Sequence, residues 1–174
     1  MNVERRFFAI VAVFIVGLGS ACWKVRQALD PYPPDAVSIE SFNRNREHFK
    51  ELIDLLEKDS NISNIDANGR ATSRDVKPLE FPEARRQRYI ELMNATGALH
   101  VSRTSWKQDS KTVFFQMWWV PNGLLMQSKA KYLVYKIDTE PQFVDSLDPI
   151  YESGRDANEF RRIDDDWSLY LDVW

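Results

Sequence analysis

Residues 112–120, TVFFQMWWV, are the stretch on which the reading of the fold turns. They carry no charge and are rich in the β-branched and aromatic side chains that suit a pleated, packed surface. Strict alternation puts Val113, Phe115, Met117 and Trp119 on one face, and Phe114, Gln116, Trp118 and Val120 on the other. Both faces are hydrophobic. The stretch therefore predicts a central strand, covered on both sides or lying at a partner interface.

Working outward, Pro121-Asn122-Gly123 makes a turn into a second strand at residues 131–138 (KYLVYKID), with Tyr132 and Val134 opposite Leu133, Tyr135 and Ile137. On the other side, residues 105–111 form a polar hairpin loop back to a strand at 99–104, where Leu99 and Val101 alternate with His100 and Ser102. Residues 139–163 are acidic and contain Pro141, Pro149 and Gly154, so they read as a long surface excursion with a turn of helix. The chain closes on an alternating strand at 167–174 (WSLYLDVW), with Trp167, Leu169, Leu171 and Val173 on one face.

Two helices precede these strands. In residues 39–58, Ile39, Phe42, Phe49, Leu52, Ile53 and Leu56 recur at helical spacing behind Ser38 or Ser41 as the N-cap. In residues 82–96, Pro82 suits the first turn, Gly97 the left-handed stop, and Tyr89, Ile90, Leu92, Met93 and Thr96 the inner face. Between the helices, residues 61–66 suggest a weak strand and residues 67–78 an exposed loop with an Asn68-Gly69 turn. The expected class is α+β: an antiparallel sheet of about four to five strands with two helices packed on one face, preceded by an N-terminal apolar anchor or signal helix.

That N-terminal segment, residues 7–22 (FFAIVAVFIVGLGSAC), follows Arg5 and Arg6. Spanning a bilayer takes roughly 20 apolar residues, and this run lies at the short end of the range. Three outcomes fit. Residues 18–22 (LGSAC) resemble a lipobox, which makes Cys22 the candidate for lipidation. The segment also suits an uncleaved anchor with the arginines inside, and a signal cleaved after Ala21. Residues 23–38 hold three prolines and read as an extended tether, leaving residues 39–174 as one domain. Cys22 is the only cysteine, so the domain has no internal disulfide.

The net charge of −3 gives no basic footprint for nucleic acid. Acids crowd the last third of the chain, and Arg85, Arg86, Arg88, Lys107, Lys111, Lys129 and Lys131 make its middle basic, a polarity able to steer a charged partner. His48 and His100 lack metal-spaced neighbours, and no nucleophile motif is present, so neither metal, cofactor nor catalytic residue is assigned. Asp164, Asp165 and Asp166 could hold a hard cation, but a solvated charge run is the simpler reading. Among the aromatics, Trp118, Trp119, Trp167, Trp174, Tyr132, Tyr135 and Tyr170 either build the core or form an exposed binding face.

Residues 45–49 (NREHF), 89–93 (YIELM) and 167–170 (WSLY) resemble those of small uncharacterised bacterial proteins that pair a lipoprotein or anchor signal with an Asn-Arg-x-x-Phe helix and a closing Trp-x-x-Tyr strand. The resemblance implies a cell-envelope location and no known activity. The expected function is a non-enzymatic protein, membrane-held at its N-terminus on the extracytoplasmic side, that binds another protein in the manner of an immunity protein or inhibitor. Trp118, Trp119, Trp167, Tyr170 and the Asp164 to Asp166 run are its candidate binding residues. The alternative is a small cell-wall hydrolase or glycan-binding module using surface carboxylates and aromatics.

Overall fold

A computed structural model describes residues 32–73, 78–103, 111–121, 128–138 and 141–174. The expected signal or anchor, Cys22 and most of the proline-rich tether lie outside the described residues, as do most of the 105–111 loop and the turn after Pro121. Among the described residues, no helix is long and apolar enough to cross a membrane. Pro33–Trp174 forms one compact unit.

The element order is α1 (Asp35–Lys58), β1 (Asn64–Asp66), β2 (Ala71–Thr72), β3 (Pro78–Leu79), α2 (Glu83–Thr96), β4 (His100–Arg103), β5 (Val113–Val120), β6 (Lys129–Tyr135), α3 (Asp148–Ser153), β7 (Ala157–Arg162) and β8 (Trp167–Val173). The strands form one sheet in the order β3-β2-β1-β4-β5-β6-β8-β7, antiparallel throughout. This corrects the expectation of four to five strands and two helices: the sheet has eight strands and the described residues hold three helices. The extra strands escape hydrophobic patterning for a physical reason. β2 and β3 have two residues each in a polar, turn-rich stretch, and β7 (ANEFRR) is a polar strand at the end of the sheet, paired to β8 and bridged on its other side by Phe143 at Phe160.

β5 is central, as its composition predicts, but its alternation is broken. Gln116 pairs with Tyr132 and Trp118 with Lys131, so Met117 is the extra residue of a bulge. The bulge returns Trp118 to the face of Val113 and Phe115 and leaves Trp119 beside Phe114 and Gln116. Assigning Trp119 with Phe115, as strict alternation does, is therefore wrong.

The helices cover one face. Phe42 and Phe49 of α1 meet Trp167 at 4.8 and 6.0 Å between ring centroids, and Phe49 meets Phe115 edge-on at 5.2 Å. α2 lies beside α1, tied to it by the Arg88–Glu51 ion pair, and ends at Gly97 with φ 74°. In the turn before β2, Gly69 has φ 73°, and a Cβ there would stand 2.8 Å from Arg86 Cγ and 3.0 Å from Ile90. On α3, Tyr151 packs edge-on to Trp118 at 5.8 Å and under the Lys129 ammonium at 4.2 Å.

α1 starts at Asp35, inside the stretch read as tether, and bends at Asn45 (φ −112°, ψ 15°), whose side-chain amide donates to the Ser41 carbonyl at 3.1 Å. The early start has a cause that the sequence hides. Lys131 on the core face of β6 donates to Asp35 Oδ1 and to the Pro33 carbonyl, each at 2.7 Å. Asp35 Oδ2 accepts from the Leu147 N–H at 2.7 Å, Arg161 at 2.9 Å and the Ser146 hydroxyl at 3.0 Å. Burial by itself pushes the Asp35 carboxyl up, but Lys131, Leu147 and Arg161 outweigh it and hold it below its ordinary value. Burial pulls the Lys131 ammonium down, with Asp35 opposing.

Candidate functional site

The face of the sheet turned away from the helices is built in rows by the strand register. One row runs Asp66, His100, Gln116, Tyr132, Tyr170, Phe160 across six strands. The row beside it includes Phe114, Val134 and Ser168, and the row on the other side runs Trp119, Ala130, Asp172, Asn158. Tyr170 is the centre of the aromatic cluster. It stacks on Phe160 at 4.5 Å, meets Tyr132 at 5.6 Å and meets Phe114 at 5.9 Å. Its hydroxyl donates to Asn158 Oδ1 at 2.7 Å.

Most of these rings are half-buried, whereas Trp119 is 49 % exposed at the margin. Burial and the neighbouring Asp172 raise both the Tyr132 and Tyr170 hydroxyls above their ordinary values. Burial likewise raises the Asp172 carboxyl. His100, near Asn64 Oδ1 at 3.4 Å, is lowered by burial, which outweighs the pull of Asp66.

The structure divides the residues singled out in the sequence. Trp119 and Tyr170 lie on this face. Trp118 lies on the opposite one against Tyr151, and Trp167, 3 % exposed, is the centre of the helix-side core. Asp164 Oδ1 accepts the N–H groups of Asp166 and Trp167, both at 3.0 Å, and Oδ2 pairs with Arg46, so Asp164 shapes the turn into β8. Asp165 and Asp166 are exposed; Asp166 borders an open cleft of about 520 Å³ with Glu47, Lys50, Glu51 and Asp54 of α1. Among the described residues, no group of three or more His, Cys, Asp or Glu side chains is placed to hold a metal ion.

Asp172, Asn158, Phe114 and Phe160 were not singled out from the sequence. The alternation of β8 already sets Ser168, Tyr170 and Asp172 opposite Trp167, so Asp172 was within reach of that pattern. Asn158 and Phe160 were not, because β7 carries no strand signature. Comparison of the chain with protein-family models, with curated proteins and with solved structures finds no match.

Proposed function

We propose that this protein is a non-enzymatic binding module, tethered to the cell envelope through its N-terminal apolar segment, which docks a partner protein on the face of the sheet opposite the helices. One observation carries the reading. Phe114, Tyr132, Tyr170 and Phe160 form a continuous aromatic surface across β5, β6, β8 and β7, with Trp119 exposed at its margin. Aromatic side chains with a polar fringe are the composition enriched at protein interfaces. The run at residues 7–22, ending in Cys22, supports the tether.

The hydrolase alternative draws no support from this face. Among the described strand residues, its carboxylates are Asp172 on β8 and Asp66 on β1, four strands apart, or roughly 19 Å at about 4.8 Å per strand. Glycosidase pairs stand about 5–9.5 Å apart, and Asp66 is already paired with Arg70. A sugar stacks its C–H face on an open aromatic face, and Tyr170 and Phe160 stack theirs on each other.

The test places a photo-crosslinking phenylalanine analogue at Trp119 and, separately, at exposed Asp54 on the helix side, in the full chain in its own cells. A discrete protein adduct at Trp119 that is missing at Asp54, and re-formed with the purified partner, is the expected result. The same adducts at both positions, or none at either, would remove the reading.

A further inference from the structure

We propose that the end of the domain where the chain enters rests on the lipid–water interface, with Leu99 and Trp174 at headgroup depth; this rests on the N-terminal membrane tether and goes beyond the docking role of the sheet face. Exposed apolar side chains gather at this end. Among the described residues the exposed large hydrophobics are Val37, Leu99, Trp119 and Trp174, each 48–54 % exposed. The ladder places three of them together. β5 and β8 both end beside the start of β6: Trp119 pairs with Ala130, and Trp174 exchanges backbone hydrogen bonds with Ser128 at 2.8 and 3.0 Å. Leu99 precedes β4, and its N–H donates to the Gln116 carbonyl at 2.8 Å, so it borders the same end of β5.

The fourth, Val37, lies on the first turn of α1, two residues past Asp35, which Lys131 of β6 holds at 2.7 Å. Lys131 also bonds the carbonyl of Pro33, the residue that opens the compact unit. Residues 23–32 span at most about 36 Å fully extended, so a membrane-held residue 22 presents this end to the bilayer at high effective concentration. Tryptophan favours the interface because one edge of its ring is apolar and the other carries an N–H that water can reach. A contact of so few side chains is weak alone, and tethering makes a weak contact sufficient. Lys129 is buried over the Tyr151 ring, and Asp156 and Asp172 are carboxylates of this end, so attraction to anionic lipid does not drive the contact. Trp119 stands where this end meets the docking face, which brings the docked partner to the membrane surface.

The test uses full-length protein in vesicles of phosphatidylcholine, which carry no net charge. A photo-crosslinking phenylalanine analogue replaces Trp174, Leu99 or, as a control, exposed Asp138 beyond the far end of β6. The eight residues of β5 alone separate the two ends by roughly 23 Å at about 3.3 Å per residue, more than the about 5–10 Å reached by an interfacial contact. Phospholipid adducts at Trp174 and at Leu99, missing at Asp138, are expected by mass spectrometry. With the analogue at Leu99, Trp174→Ser should lower the lipid adduct at least about threefold, and added phosphatidylglycerol should leave it unchanged.

Equal lipid adducts at all three positions, or none at Trp174 and Leu99, in protein that alkaline carbonate fails to strip from the vesicles, overturn the interfacial contact and leave the tether standing. Protein stripped by carbonate overturns the tether, and the contact with it. A lipid adduct that forms only with phosphatidylglycerol overturns the apolar contact in favour of ionic attraction. Protein adducts at Trp174 in place of lipid ones overturn it too, and would assign this end to a protein contact. The docking reading fails separately, by loss of the Trp119 crosslink to a partner.

Discussion

The Lys131 ammonium stands 2.7 Å from Asp35 Oδ1, and water reaches neither side chain. The pair joins the first turn of α1 to the middle of the sheet, and its two members are not equally dependent on each other. Without Lys131, Asp35 keeps the Leu147 N–H, Ser146 and Arg161. Without Asp35, Lys131 keeps the Pro33 carbonyl at 2.7 Å, and its nearest described carboxylate is Asp148 at 3.8 Å. Removing one partner of a buried pair costs about 3–5 kcal/mol because the other charge is left uncompensated. Asp35→Ala should therefore reach that range and Lys131→Met should fall below it, with Asp35→Leu combined with Lys131→Met recovering part of the loss. Urea unfolding measures all three, and equal losses in the two single variants would refute the asymmetry.

Acid should act on the same carboxylate. Asp35 is held below its ordinary value in the folded state, so the folded state binds the proton less readily than the unfolded chain. Its contribution is complete above the unfolded value of about 3.9, and is lost as pH falls through the folded value. The unsubstituted protein should thus lose stability more steeply than Asp35→Asn below about pH 4. Parallel curves of melting temperature against pH would contradict this.

That pair also marks where sequence reading stops. Gly97 ends α2 as its position implied, and β8 alternates as its pattern implied, because those are local rules of helix termination and pleat. Lys131 in a strand and Asp35 after two prolines look like ordinary surface charges. Only the fold brings residues ninety-six positions apart together and supplies the extra donors that make burial tolerable. The aromatic face was half legible: Tyr170 and Trp119 could be chosen as types, but the bulge at Met117 decides which tryptophan faces which way, and no periodicity announces a bulge.

Two adjacent tryptophans should consequently answer mutation very differently. Trp118 is buried against Tyr151, whereas Trp119 is half exposed on the other face. Trp118→Ala should cost about 3–5 kcal/mol, the range for truncating a buried large aromatic. Trp119→Ala should stay within about 1 kcal/mol while abolishing partner capture. Chemical unfolding of both variants, together with binding of the purified partner to each, checks this. Matched losses of stability would mean that the bulge does not separate the two side chains.

Asp172 should behave in the opposite sense to Asp35. Burial among rings raises its carboxyl, so in the folded protein it holds its proton more firmly than in the unfolded chain. Between the unfolded value, about 3.9, and the higher folded value, the folded state binds more protons, and stability falls as pH rises. Above both values the charge is fully present and its desolvation weighs on the folded state. Asp172→Asn removes that burden and should raise the melting temperature at pH 7, with the advantage shrinking to nothing as pH drops to about 3.9. Acid therefore closes the gap for Asp172→Asn from above, whereas it closes the gap for Asp35→Asn from below. A lower melting temperature for Asp172→Asn at pH 7 would refute the burden assigned to its half-buried carboxylate.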